Sequence, residues 1–330
     1  MRDTAQLTVT LSAEEATNLA TRTLLRLGFT DAEAATIAAQ LVDAELVGTR
    51  IMGLIRLKLI SDLVARGKRG PLKVVVDEPA YALVDGCFNP GYLSVPVAVE
   101  LAIHKATSNS LAFVGVSNSS LAGMAGFYVE KIAEAGLIGA MLISSYARVA
   151  PLGGVDPVLG TNPLAFGFPT KGDPVVVDTA TSTISNGHVE LARAVGAELP
   201  AGSAFDAAGN PTTDPTRAQQ GALLPMAAHK GFGLALAVQM FGILVGGDPV
   251  PRKLGNQGIS VLALNPAMFG SLESYRAGTE ELLSEVKGSR RVPGADEIRY
   301  PGEGRSRRRR EALETGISVP RAVLDLIERL

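Results

Sequence analysis

At 330 residues, with 46% hydrophobic and 19% charged residues, the chain has ample apolar surface for a core and is long enough for two or three structural units. Its formal net charge of -2 excludes a general nucleic-acid binder, whose affinity would rest on many phosphate contacts, and the basic run from Arg305 to Arg310 is local.

The amino terminus carries Arg2, Asp3, Glu14 and Glu15 with no apolar run, so no signal peptide is expected and a cytoplasmic location is the default. Ser12-x-x-Glu15 and Thr30-x-x-Glu33 are capping boxes, each followed by apolar residues at spacings of three and four, and Gly28 closes the first of the two predicted helices. After Pro71 the pattern shifts to short strands, Leu72 to Val76 and Ala80 to Val84. Cys87 follows in a turn-like Asp85-Gly86-Cys87-Phe88-Asn89-Pro90; one cysteine rules out an internal disulfide framework, and here it reads as a small turn residue. A helix from about Ser94 to Thr107, a strand Leu111 to Val116, a helix from about Ala125 to Ala135 and a strand Ile138 to Ile143 come next. Val175 to Val177 then runs into Asp178. This alternation implies a layered α/β domain but leaves the strand order open. Pro200 to Gln220 reads as a polar loop. The uncharged Gly231 to Gly247 is too short to span a membrane and reads as a buried helix in the core or at a subunit interface. Gly288 to Arg310 reads as irregular, and Pro320 opens a closing helix that runs to Leu330.

Gly48-Thr49-Arg50-Ile51-Met52-Gly53-Leu54-Ile55-Arg56 resembles the Gly-x-x-Ser-His-Gly-x-x-Arg turn of the malate/L-lactate dehydrogenase family that lacks a Rossmann fold. Asn118 to Gly123, Pro151 to Gly154, Leu159 to Pro163, Asp178 to Ser182, Gly209 to Pro215, His229 to Leu234 and Pro301 to Glu303 continue the resemblance in the family's order. It implies a three-layer, mixed-sheet, non-Rossmann dinucleotide-binding domain, with a helical dimerisation domain built from both termini. On that plan residues 1–70 begin the dimerisation domain, 71–250 form the central α/β cofactor-binding domain, and 251–330 complete both regions. A homodimer is implied, with the active site near the subunit interface; the apolar faces of the terminal helices are the surfaces expected to meet.

No Gly-x-Gly-x-x-Gly joins a strand to a helix in the first half of the chain, and no phosphate-binding Gly-x-x-x-x-Gly-Lys-Ser/Thr occurs anywhere, so the residues alone show no dinucleotide site. The resemblance implies NADH or NADPH. It places cofactor contacts on Leu121, Ala122, Gly123, Met124 and Ala125, on Thr179, Ala180 and Thr181, on His229 and Lys230, and on Gly302, Glu303 and Arg307. Arg305 and Arg308 are further candidates for gripping phosphate. No metal is expected.

The relay that delivers a proton in this family's reductases is altered at every position. Its serine is replaced by Ile51 and its histidine by Met52, whose thioether has no dissociable proton. Alignment from Asp178 places the relay's acidic partner at His188, and the family's second turn histidine is Leu121. His188 is then the substitute acid or a turn cap. Arg56 suits bidentate capture of a substrate carboxylate, with Thr161 and Asn162 adding hydrogen bonds. An iminium already carries its activating charge, whereas ketone reduction must neutralise an alkoxide, so these residues favour reduction of a C=N bond in a cyclic imine or ketimine acid. The alternatives are a redox-neutral isomerase, cyclase or lyase on the same scaffold, and a catalytically inactive dinucleotide-binding paralogue.

Overall fold

A computed structural model describes residues 8–67 and 69–330; Arg2 and Asp3 lie outside the described residues. Strand β1 (Thr8–Leu11) leads into α1 (Ala13–Arg26) and α2 (Asp31–Leu46). Both helices open on the predicted capping boxes: the Ser12 and Thr30 hydroxyls accept from the N–H groups of Glu15 and Glu33, whose carboxylates accept in return from the cap N–H groups. Two 3-10 turns, Arg50–Met52 and Leu54–Arg56, then carry the chain into α3 (Leu57–Val64).

The other half of this helical unit comes from the far end of the sequence. Strand β11 (Ile317–Pro320) pairs antiparallel with β1, and α11 (Arg321–Glu328) follows it. Leu24, Ile37, Leu41, Leu54, Ile60, Val319 and Ile327 close into one core, against which Tyr92 and Leu93 pack from the first turn of α4 (Gly91–Asn109). The apolar faces of the terminal helices are therefore spent within a single chain, contrary to the expectation that they remain for a partner.

The central sheet uses β2 (Lys73–Asp77), β3 (Tyr81–Asp85), β4 (Leu111–Ser119), β5 (Ile138–Ile143), β6 (Leu164–Phe168), β7 (Val175–Thr179) and β10 (Gln257–Leu264), in the order β2-β3-β4-β10-β5-β6-β7. Only β3 and β4 are parallel; every other neighbouring pair is antiparallel. Helices α4 and α5 (Ala125–Glu134) cover one face, and α8 (His229–Leu244) lies against β5 and β10. The result is a mixed-sheet, three-layer domain of non-Rossmann type.

Between β7 and α8 come α6 (Asn186–Val195), a two-stranded pair β8 (Ala204–Phe205) and β9 (Ala222–Leu223), and α7 (Pro215–Gln220), capped by Asp214. The polar stretch from Pro200 to Gln220 is thus partly structured. After β10, α9 (Leu272–Gly288) buries none of its residues, and α10 (Arg305–Thr315) begins where an irregular segment was expected to continue. The arginine run is helical because its partners are elsewhere in the fold: Arg305 and Arg309 reach Glu130 of α5 at 2.9 and 3.0 Å, and Arg309 reaches Asp43 of α2 at 2.7 Å. Burial raises the Glu130 carboxyl, and the two arginines more than offset this, holding it below its ordinary pKa.

Candidate active site

Two cavities meet at Met52, Thr161, Pro163 and Ser185. The larger, about 830 Å³, runs between the 48–52 turn, the end of β7 and the segment before α10. That is room for much of a dinucleotide. The smaller, about 80 Å³, lies between Met52, Arg56, Tyr92, the Leu121–Gly123 turn, Tyr146 and Arg148.

The turn holding Met52 is fixed from below. Glu45 of α2 accepts from the Leu54 N–H at 2.8 Å, and a Cβ at Gly53 would lie 2.1 Å from the same carboxylate oxygen, so any larger residue there must displace Glu45. Burial pushes the Glu45 carboxyl up to about 7, against the lowering effects of the Leu54 N–H and Arg50. Arg56 folds back over the turn, donating from Nε to the Ile51 carbonyl at 2.7 Å and from Nη2 to the Met52 sulfur at 3.1 Å. No carboxylate pairs with it among the described residues.

Arg148 is the second cation of the small cavity, and it is buried. Its nitrogens donate to Asn186 Oδ1 and to the carbonyls of Ala218, Gln219 and Gly221, all neutral acceptors. Asn186 in turn donates to Glu190 at 2.8 Å, so the nearest acid is one residue removed. Between these groups stands Tyr146, whose buried hydroxyl completes no hydrogen bond. Burial pushes its phenol up to about 12, with Glu190 adding to the rise and Arg148, Arg56 and the Asn186 side chain opposing it.

His188 lines the larger cavity as the third residue of α6. Its Nδ1 accepts from the Ser185 N–H at 3.3 Å and lies 2.9 Å from the Ser185 hydroxyl, so the imidazole caps the helix start and carries its proton on Nε2. Burial, with help from Arg56, lowers its pKa. A neutral capping imidazole is a poor proton donor at neutral pH.

The other sequence-derived positions divide. Ile51, Met52, Thr161, Thr179, Ala180 and Gly302 line the larger cavity together with Arg50, Arg305 and Arg308. Leu121, Ala122 and Gly123 line the smaller one, away from the dinucleotide-sized space, while Met124 and Ala125 are buried and line neither. The Gly126 N–H, next to the expected cofactor contacts at 121–125, already donates to Asp178 at 2.7 Å. The Asn162 side chain, expected to meet substrate, is engaged within the protein. Fully buried, it accepts from the Ser145 N–H and donates to the Ala235 carbonyl and Gln239, tying the loop to α8. Thr181 is likewise buried, donating to the Thr161 carbonyl. His229 and Lys230 are exposed at the start of α8 and line neither cavity, and Glu303 pairs with Lys287 beside Arg307, outside the larger cavity.

The model of the malate/L-lactate dehydrogenase family matches residues 11–328. The chain belongs to this family. It is 34% identical to the malate dehydrogenase of Pyrococcus abyssi over 98% of this chain and 94% of that one. Among solved structures, a dehydrogenase from Sinorhizobium meliloti superposes with a TM-score of 0.90 at 30% identity, covering 99% of each chain. The delta1-piperideine-2-carboxylate reductase of Pseudomonas syringae pvar. tomato superposes at 0.84 and 29% identity, over 97% of this chain and 99% of that one.

Within this family member, the residues that sequence reasoning passed over are Glu45, Tyr146 and Arg148. Tyr146 follows directly on Ser144-Ser145 at the end of β5, a position with no periodic or motif signal of its own. Arg148 sits three residues before Pro151-Leu152-Gly153-Gly154, and an unpaired basic residue just before a matched motif was the one available hint.

Proposed function

We propose that the protein is an NADH- or NADPH-dependent reductase of a C=N bond in a small carboxylic acid of the cyclic imine or ketimine type. The observation that carries this reading is Met52 at the junction of the two cavities, with its sulfur held by Arg56. The larger cavity has room for much of a nicotinamide dinucleotide, and Arg50 and Arg308 give it cations for a pyrophosphate. When bound there, the reduced cofactor supplies hydride.

The chain's own residues do the rest. Arg56 and Arg148, both without an ion-pair partner among the described residues, set a positive field in the smaller cavity that suits a carboxylate. Ile51, Met52 and Leu121 present apolar surface that excludes water from the junction. His188 is a weakened proton source, since its Nδ1 is engaged at Ser185 and burial lowers its pKa. For a ketone the loss of a proton donor costs roughly 10²- to 10⁴-fold in rate, whereas an iminium gains hydride and becomes a neutral amine with no added proton. The test follows the near-ultraviolet absorbance of NADH and NADPH with cyclic imine 2-carboxylates and with 2-oxo acids. The imine acids should be reduced at least about 100-fold more efficiently; faster reduction of 2-oxo acids overturns the assignment.

A homodimer belongs to the same proposal, by a different surface from the terminal helices. Helix α8 exposes Leu234, Leu236, Met240, Ile243 and Leu244, and its Phe241 ring packs 6.5 Å from Phe113 of β4, joining this row to the partly exposed sheet face. A contiguous apolar strip of this kind marks an association surface. Light scattering should give twice the chain mass at micromolar concentration, and Met240→Glu with Leu244→Glu should shift it toward monomer.

A further inference from the structure

We propose that Tyr146 binds the reducible heteroatom of the substrate, taking over the contact, though not the acid chemistry, of the missing imidazole. The inference rests on the reading of the smaller cavity as the substrate site.

Four observations converge on this hydroxyl. It is shut off from solvent and completes no hydrogen bond, an arrangement native proteins avoid unless a ligand or water satisfies the group. It lines the cavity that also holds Met52 and Arg56. Arg56 and Arg148 line the same small cavity, so a carboxylate captured by either guanidinium is held in the space that the phenol borders. The Asn186 side chain beside it accepts from Arg148 and donates to Glu190, and completes no hydrogen bond of standard geometry with the phenol. The phenol therefore remains available. Burial also keeps its proton on at neutral pH, so it both donates and accepts.

That dual capacity fits the change at nitrogen during reduction. Before transfer, the phenolic oxygen accepts the iminium N–H. Hydride from the reduced nicotinamide, which is thereby oxidised, then forms the new C–H bond, and the C=N π pair moves onto nitrogen. The cationic iminium becomes a neutral amine, and the phenol, still protonated, can turn its O–H toward the new lone pair. No proton has to leave Tyr146, which distinguishes it from a general acid.

The test uses the full-length protein saturated with reduced nicotinamide and three saturated ring acids that cannot accept hydride: pyrrolidine-2-carboxylate, tetrahydrofuran-2-carboxylate and cyclopentanecarboxylate. Calorimetry on the native protein should show the two heteroatom-bearing rings binding about tenfold more tightly than the carbocycle. In Tyr146→Phe the three affinities should converge near the carbocycle's value, with the melting temperature unchanged or raised, since no protein hydrogen bond is lost. Tyr92, the other phenol lining the cavity, is the control. Preference retained in Tyr146→Phe, preference absent from the native protein, or preference lost instead in Tyr92→Phe overturns the proposal. A marked fall in melting temperature for Tyr146→Phe also counts against it, because the hydroxyl would then have a structural partner. If none of the three acids binds the native protein, the reading of the cavity itself fails, a result distinct from the loss of the phenol's role alone.

Discussion

Two groups of buried or half-buried arginines have been treated differently by the fold. Arg305 and Arg309 of α10 are neutralised by Glu130 and Asp43. Arg56 and Arg148 are held only by carbonyls, an amide and a thioether. The first group joins three helices; the second faces a cavity. A guanidinium cannot shed its proton to escape burial, so an unpaired one in a cavity is a site awaiting an anion, whereas a paired one is a fastening. Glu45 completes the contrast as a buried acid with no ion-pair partner among the described residues, which relieves its charge by holding a proton up to about pH 7.

The contrast breaks most visibly at Glu130. Glu130→Ala should cost about 3–5 kcal/mol in urea unfolding, because it strands the buried Arg305 and leaves Arg309 with Asp43 alone; a loss under about 1 kcal/mol would mean that the network is not a fastening.

Next in size is the pH response of Glu45. Its folded-state pKa lies above the ordinary 4.5, so the folded state binds the extra proton, and stability should fall as pH rises from 4.5 to about 7 and then level off. The span of about 2.5 units corresponds to roughly 3 kcal/mol at most. Glu45→Gln keeps an acceptor for the Leu54 N–H and should flatten the profile; urea midpoints at several pH values that decline equally in both proteins would count against this assignment.

Arg56→Ala should leave the unfolding midpoint nearly unchanged while raising the KM for an anionic substrate about 10- to 150-fold, the worth of a charge-assisted hydrogen bond. Equal damage to stability and affinity would erase the distinction between the two arginine groups.

The smallest expected effect concerns the lost relay. Ile51→Ser with Met52→His restores a titrating group at the cavity junction and should raise 2-oxo acid reduction by about tenfold, short of the full worth of a proton donor because His188 is engaged at Ser185 and offers no carboxylate. Vigorous 2-oxo acid reduction by the native protein would show that the proton is delivered elsewhere.

What could be read from the residues was local. The Ser12 and Thr30 capping boxes lie within one turn of the groups they bond, and the 48–56 turn carries its glycines and arginine in one short run. The central position of β10 was illegible, because its partners β4 and β5 lie more than a hundred residues upstream. The helical character of Arg305 to Arg310 was hidden for the same reason, since its support comes from Glu130 and Asp43. Asn162 misled in the opposite direction: a polar residue in a matched motif looks like a ligand for substrate, and only the packing of α8 shows its amide fully engaged. Tyr146 carried no signal at all until its hydroxyl was seen without a partner.

The fastening at α10 also orders events during synthesis. Asp43 and Glu130 leave the ribosome long before Arg305 and Arg309, and until those arginines arrive α2 and α5 cannot bury their acids at the same place without stranding charge. A polypeptide cut short before Arg305 lacks both the cations and β11, the partner strand of β1, so it is denied the wall of the larger cavity and the closure of the helical core together. The larger cavity is thus fully walled only on chains translated past α10, and a product truncated before it is left with exposed apolar surface that proteases and chaperones can recognise.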